Sequence, residues 1–130
     1  MSFGGGFRIS ASGMTAERLR MDVISNNLAN INTTRTEEGG PFRRQVVLLS
    51  AKADGGVQAF GIVEDPRPHT MVYDPGHPDA NPEGYVAMPN VNVVSEMVDM
   101  MTASRAYEAN VTAFNAAKSM AAKALEIGKS

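Results

Sequence analysis

The sequence predicts a mainly α-helical protein with a small β insert, an α+β fold whose long N- and C-terminal helices pack as a coiled-coil-like pair. Apolar residues recur at alternating steps of three and four near both ends of the 130-residue chain, the spacing that keeps one helix edge against a partner. All seven prolines lie within residues 39–90, so this Gly/Pro-rich stretch cannot continue either helix. We expect an N-terminal helical segment (1–34), a β-rich insert with a Pro-rich loop (35–90) and a C-terminal helical segment (91–130).

The N-terminal stripe predicts one helix, interrupted in its register only by Ser10 and Glu17. The stripe consists of Phe3, Phe7, Met14, Met21, Ile24, Leu28 and Ile31. Because the glycines at 4–6 are poor helix formers, the helix is expected to start between Ile9 and Met14. Ser10 or Ser12 would then cap it. Poor helix formers accumulate at 32–34, where the helix should end.

One β-hairpin and two further short strands are expected in the middle of the chain. The apolar runs 42–50 and 57–63 flank the turn residues 53–56, which is the pattern of a β-hairpin. Short strands at 70–73 and 85–88 would follow, on either side of a loop that contains three prolines. The insert is too small to form a large core by itself.

The proline loop carries residues that invite two interpretations. Five of its members are predicted to make contacts: Asp74, Pro75, His77, Asp79 and Asn81. The two aspartates and the histidine are able to bind a metal, but aspartate beside turn-forming proline usually bonds backbone groups. We therefore favour turns over a metal site, and no cofactor is expected.

The C-terminal stripe predicts a second helix, with Asn92 as its N-cap. It consists of Val93, Met97, Met100, Tyr107, Val111, Phe114, Ala121 and Leu125, interrupted by Ser104 and Lys118. Beside it runs an alanine column of Ala103, Ala106, Ala113, Ala117 and Ala124. The alanines favour close packing of neighbouring helices, although alanine is also simply the best helix former. The two stripes are expected to serve contacts within and between chains, the alternative being an ordinary intramolecular helical hairpin.

Four asparagines crowd the end of the first helix, at positions 26, 27, 30 and 32. Asparagine competes for backbone hydrogen bonds and so weakens a helix. Two interpretations stay open: buried amides that fix helix register, as in coiled coils, or a fraying end with solvated amides.

Composition argues against several classes of function. A net charge of −2 argues against nucleic-acid binding, which needs a basic face. The short basic pair Arg43-Arg44 is expected at a solvated strand edge or, alternatively, as an interface anchor. No cysteine is present for a disulfide or thiol nucleophile. No apolar run approaches the length of a membrane span, and the first residues do not resemble a secretory signal. Neither a phosphate loop nor a nucleophile–histidine pair is evident, so we expect no enzyme.

Two groups of residues carry a resemblance to a known family. Ser12-Gly13-Met14, Ala16, Arg20, Ile24–Asn30 and Thr33 resemble the N-terminal signature of bacterial flagellar axial proteins, the rod and hook subunits. Residues 74–81, 84–92, 97–101, 104–108 and Asn110 are similar to the proximal-rod class of that family. The likeness covers nearly the whole chain and is weakest at 1–8 and 51–69.

The resemblance implies a structural subunit of the flagellar basal-body proximal rod, the drive shaft that transmits motor torque. It implies self- and hetero-assembly through the terminal helices with other rod subunits, and passage without a cleaved signal peptide through the flagellar type III export apparatus to a periplasm-spanning rod. It also favours asparagines that fix register between subunits, and a proline loop that contacts neighbours. The expected assembly interface is Phe7, Met14, Met21, Ile24, Asn26, Asn27, Leu28, Asn30, Ile31, Val93, Met97, Met100, Tyr107, Val111, Phe114, Ala121 and Leu125. The alternative is a soluble coiled-coil adaptor or export chaperone that uses the same stripes in a closed complex.

Overall fold

The computed structural model describes residues 3–129, with the side chain of Phe3 outside that description. The elements follow in the order α1 (Phe3–Ala29), β1 (Gln45–Ala51), β2 (Val57–Glu64), β3 (Thr70–Tyr73), β4 (Tyr85–Met88) and α2 (Val93–Lys129). The predicted architecture, two long helices with a small β insert between them, is confirmed. Among the described residues, neither helix combines the length and apolar character needed to cross a bilayer.

The two helices pack against each other in antiparallel directions. The rings of Phe7 and Phe114 meet edge to face with centroids 5.1 Å apart. Farther along α1, the Asn27 amide donates to the carboxylate of Glu96 over 3.2 Å. Residue numbers therefore rise along α1 as those of its partners fall along α2.

The expected start of α1 between Ile9 and Met14 is wrong, because the helix already begins at Phe3. Of the glycines that argued for a later start, Gly6 lies against α2, since a Cβ on it would lie 3.7 Å from the Cβ of Ala117. Packing against α2 thus overrides the low helix propensity of glycine.

Neither serine caps α1, since both lie inside the helix. Ser10 is buried. Ser12 donates its hydroxyl to the carbonyl of Ile9 over 2.8 Å and accepts the N–H of Val57 over 3.1 Å. Ser12 therefore joins α1 to the start of β2.

The predicted hairpin and the two further strands are confirmed. Strands β1 and β2 pair in antiparallel fashion from Gln45 opposite Glu64 to Ala51 opposite Val57. The register shifts between Leu48 and Leu49, which leaves Phe60 as the extra residue of a β-bulge. Strands β3 and β4 form a separate two-stranded antiparallel sheet.

Helix α1 is the middle layer between α2 and the β1–β2 hairpin. The most buried apolar side chains of the described chain are Ala16, Val23, Ile24, Val86 and Ala103. Three of these belong to α1, which has contacts on two sides. The N-cap predicted for α2 is confirmed, because Asn92 Oδ1 accepts the N–H of Ser95 over 3.0 Å.

Candidate assembly surface

The face of α2 that contacts α1 combines the predicted stripe with the alanine column. Its less exposed residues recur at alternating steps of four and three: Glu96, Met100, Ala103, Tyr107, Asn110, Phe114, Ala117, Ala121 and Ala124. Ala103 is completely buried. Small side chains at alternate layers let the backbones approach, so the contact line falls between the two predicted columns rather than on the apolar one.

This rotation of α2 leaves part of the predicted stripe outside the helix pair. Val93, Met97 and Leu125 are 45%, 56% and 67% exposed, and Val111 is only half-buried. Met100, Tyr107, Phe114 and Ala121 lie in the contact line instead. The predicted interface residues of α2 thus divide into an intramolecular group and an outward group.

Two apolar surfaces at opposite ends of α2 are uncovered by the described chain. The first, which we call the head stripe, consists of Val94, Met97, Val98 and Met101, each more than half exposed. Their spacing of three, four and seven places them along one helix face. The second, the tail patch, is the 67% exposed Leu125 side chain beside Ala121 and Ala124, whereas the exposed Met120 and Ile127 lie seven residues apart on another side of the helix. Exposed apolar patches of this kind mark interaction sites.

Most predicted interface residues of α1 are used within the chain. Ile24 is buried, whereas Phe7, Met14, Met21, Leu28 and Ile31 are half-buried and Asn26 is exposed. The Tyr107 hydroxyl also accepts a hydrogen bond from Arg18 over 3.1 Å. Helix α1 therefore offers less free apolar surface than α2.

The asparagine cluster fixes the position of β1 on α1. Asn27 is fully buried, donates to the Gln45 carbonyl and accepts the Gln45 N–H, both over 3.0 Å. Asn30 donates to the carbonyl of Asn26 over 2.9 Å and accepts from Thr33 over 3.1 Å. The amides at 26, 27 and 30 thus bond within one chain, and Asn27 is neither frayed nor solvated.

Behind the head stripe lies a cluster of charges that the sequence analysis did not anticipate. The guanidinium of Arg44 bonds Glu96, which is fully buried, and pairs with Asp65 at 3.1 Å and Asp99 at 3.4 Å. Asp65 also pairs with Arg67 at 2.6 Å. These bonds join the residue just before β1, the segment after β2 and the first turns of α2. We call these five residues the polar cluster.

Asn90 and the backbone of Arg67 add hydrogen bonds around this cluster. Asn90 accepts the Arg44 N–H over 2.7 Å and donates to the Asp65 carbonyl over 3.1 Å. The side chain and backbone N–H of Arg67, together with Arg44, hold the pKa of Asp65 well below its usual value. A charged Asp65 is therefore the form that the fold stabilises.

Arg44 is neither a solvated strand-edge residue nor a free interface anchor. Its neighbour Arg43 donates to the Asp65 carbonyl over 3.0 Å and faces Nε2 of His69 at 3.1 Å. Glu96 falls in the contact line of α2, four residues before Met100. If the alanines had been counted together with the apolar stripe, Glu96 would have been predicted on the buried face of α2. A buried carboxylate there would have predicted a cationic partner.

The proline loop is held to the segment after α1 through Asp79. Its carboxylate accepts from the Thr34 hydroxyl over 2.7 Å and from Arg35 Nε over 3.1 Å, and these bonds lower the pKa of Asp79. His77 accepts the Asp79 N–H through Nδ1 over 3.0 Å.

The other predicted loop residues form turns. The Asp74 carbonyl accepts the His77 N–H over 3.1 Å, and Asn81 Oδ1 accepts the Tyr85 N–H over 2.8 Å, while Pro75 is exposed. Within residues 3–129, no group of three metal-binding side chains is placed to hold an ion. The geometry agrees with the turn interpretation of this loop.

Both terminal segments match family models of flagellar rod proteins. Residues 7–35 match the model described as "Flagella basal body rod protein". Residues 83–127 match the model described as "Flagellar basal body rod FlgEFG protein C-terminal". The matched regions cover the antiparallel helix pair.

Curated relatives extend this similarity over nearly the full length. The chain is 49% identical to the flagellar basal-body rod protein FlgC of Bacillus subtilis, over 93% of this chain and 95% of the relative. It is 45% identical to FlgC of Borreliella burgdorferi over 92% and 93%, and 42% identical to FlgC of Escherichia coli O6:H1 over 95% and 96%. With this identity across both helices and the β insert, the chain belongs to the flagellar basal-body rod protein FlgC family.

Proposed function

We propose that this chain is a structural subunit of the bacterial flagellar basal-body rod and acts mechanically, without catalysis. The observation that carries the proposal is a helix pair that leaves apolar surface uncovered at both ends of α2, in a chain whose near-full-length relatives are rod proteins. Apolar side chains left in water favour association, so the subunit is suited to a neighbour on either side.

The proposed parts have separate mechanical roles. Segments 1–34 and 91–130 form the helical body that contacts neighbours, and 35–90 braces it through the Asn27–Gln45 bonds and the polar cluster. In a shaft under torque, a brace that joins both helices to the insert resists sliding of one helix past the other.

The outward group of predicted interface residues is the best candidate for contacts between subunits. It includes Val93, Met97 and Leu125, whereas Ile24 and Asn27 are already used inside the chain. Neighbours would be copies of this chain and other rod subunits, in a rod that spans the periplasm. We further propose export without a cleaved signal peptide through the flagellar type III apparatus.

Deletion and complementation test the function. A strain without this gene should lose motility, and expression of the chain should restore it. The chain should also co-purify with isolated basal bodies. Restored motility with no chain in basal bodies would contradict a structural role.

The adaptor or chaperone alternative is not favoured, because the relatives that match almost end to end are rod proteins. A chaperone should form one defined small oligomer as concentration rises, whereas a rod subunit should stay monomeric or form open assemblies. Size-exclusion chromatography with light scattering separates these outcomes.

A further inference from the structure

We propose that the head stripe is the docking site for the C-terminal end of an α2-type helix from the adjacent rod subunit. The inference rests on the proposed function and names the contact. The occupant is an amphipathic helix end with exposed apolar side chains and lysines, which is the chemistry of this chain's own residues 118–129.

The end of α2 that projects beyond α1 is about as long as the head stripe. Because Gly6 lies opposite Ala117, the part of α2 beyond about residue 120 extends past the first described turn of α1. Residues 121–129 therefore project by about 12 Å at a rise of 1.5 Å per residue. Residues 94–101 cover about 10–11 Å by the same measure. The projecting end and the head stripe thus match in length.

The contact line of α2 continues into its projecting end. Ala121 and Ala124 continue the four–three spacing of the residues that face α1, and Leu125 lies beside them but is 67% exposed. The helix thus keeps its packing face after the described part of its intramolecular partner has ended. A second helix surface is needed to cover this face.

The two surfaces also differ in charge. Within residues 121–129, Lys123 and Lys129 outnumber Glu126. The head stripe lies beside the polar cluster, whose three carboxylates outnumber its two guanidinium groups, and beside Arg105 and Glu108, whose charges cancel. The net charges of the two surfaces are therefore opposite, which favours their approach.

The arrangement also fits an open assembly. The head stripe and tail patch are different surfaces at opposite ends of one helix. Each subunit would therefore place its tail patch on one neighbour and receive the tail patch of another neighbour on its head stripe. A contact of this heterologous kind does not close after two subunits. Residues 83–127 match a model of the C-terminal region of other rod proteins, so helix ends of this type are not confined to this chain.

Site-specific photo-crosslinking in cells tests the contact. A photoreactive amino acid replaces Val94 or Met101 in the head stripe, and Glu38, which is exposed in the turn after α1, serves as the matched control. Basal bodies are isolated after irradiation, and mass spectrometry identifies the captured peptide. We expect residues 118–129 of this chain, or the corresponding C-terminal helix of another rod subunit, captured at least about fivefold more than at Glu38.

A probe at Leu125 provides the reciprocal measurement and should capture the first turns of a neighbouring α2-type helix. Capture of any other protein segment, or capture no greater than at Glu38, would overturn the inference. Those results leave the proposed function intact if the unmodified chain is present in basal bodies. Absence of the unmodified chain from basal bodies would instead contradict the function itself.

Discussion

Asn27 lies in the last turn of α1, and its side-chain amide bonds the backbone of Gln45 as a neighbouring strand would. The side chain meets the backbone of Gln45 as donor and acceptor, and also donates to Glu96. One residue thus links α1, β1 and α2. The low helix propensity of asparagine could be read from the sequence, but its hydrogen-bond partner Gln45, 18 residues away, could not.

The Asn27→Ala variant should lower the free energy of unfolding by about 1–3 kcal/mol, because it leaves buried backbone and carboxylate groups without their partner. Asn26→Ala is the matched control, since Asn26 is exposed. Urea denaturation followed by circular dichroism measures both. Similar losses for the two variants would show that the buried bonds of Asn27 add no net stability.

Gly13 of α1 lies directly against the side chain of Asn110 on α2. A Cβ at this position would lie 2.5 Å from Oδ1 of Asn110. Gly13→Ala should therefore destabilise the chain by about 1–3 kcal/mol through overpacking, and Asn110→Ala should recover part of the loss. Gly4→Ala, where a Cβ would meet no described atom within 4 Å, should be neutral or stabilising. Equal effects of the two alanines on the urea midpoint would contradict this close contact.

The lowered pKa of Asp65 predicts that the free energy of unfolding depends on pH. Because Arg67 and Arg44 lower its pKa in the folded state, its contribution is complete above the unfolded pKa of 3.8 and is lost as pH falls below that value. Asp65→Asn should therefore be less stable than the natural chain at pH 7, and the difference should shrink below about pH 4. Urea titrations at pH 7, 5 and 3 provide the measurement. A difference that stays constant with pH would assign the effect to something other than this charge.

At the scale of elements, the strands and turns were the most predictable. The ranges 70–73 and 85–88 agree with β3 and β4, because proline and glycine impose local turn geometry. The start of α1 and the facing side of α2 were not predictable in this way. Both depend on how closely the partner helix approaches, which local propensity does not encode.

The far end of the helix pair depends on the contact between Phe7 and Phe114. Replacing each by alanine, singly and together, should give a coupling energy of about 0.5–1.5 kcal/mol, as for other edge-to-face aromatic pairs. The control is the same double-mutant cycle carried out on Phe7 and Phe42, because Phe42 lies outside the helices. Additive losses for Phe7 and Phe114 would mean that the rings do not support each other in solution.

At the scale of the whole molecule, the insert is stable only as part of the helical body. Two-stranded sheets are marginal by themselves, and here the β1–β2 hairpin lies against α1 while Arg44 ties it to α2. The sequence predicted three parts but not the charges that join them. Residues of the polar cluster are distant in the sequence, so no local pattern indicated them.

Because the outward group of interface residues is exposed in the isolated chain, we expect a substitution there to block assembly without unfolding the subunit. Met97→Glu should change the free energy of unfolding by no more than about 0.5 kcal/mol, because Met97 is 56% exposed in the isolated chain. It should nevertheless abolish incorporation into basal bodies and motility, since a charge would be buried at the contact. Gln58→Glu, also exposed, should preserve both. Normal motility of Met97→Glu cells would remove the head stripe from the interface.

The antiparallel pairing of the first and last helices also sets the timing of folding. Arg18 and Tyr107 are 89 positions apart in the chain, and Asn27 and Glu96 are 69 apart. A ribosome releases the N-terminus first, so α1 emerges long before its partner, and most of the stability of a helix in a protein comes from tertiary packing. Completion of the native packing therefore waits for the last segment to emerge. Until then α1 lacks the α2 contacts that stabilise it, a delay that follows from the order of elements alone.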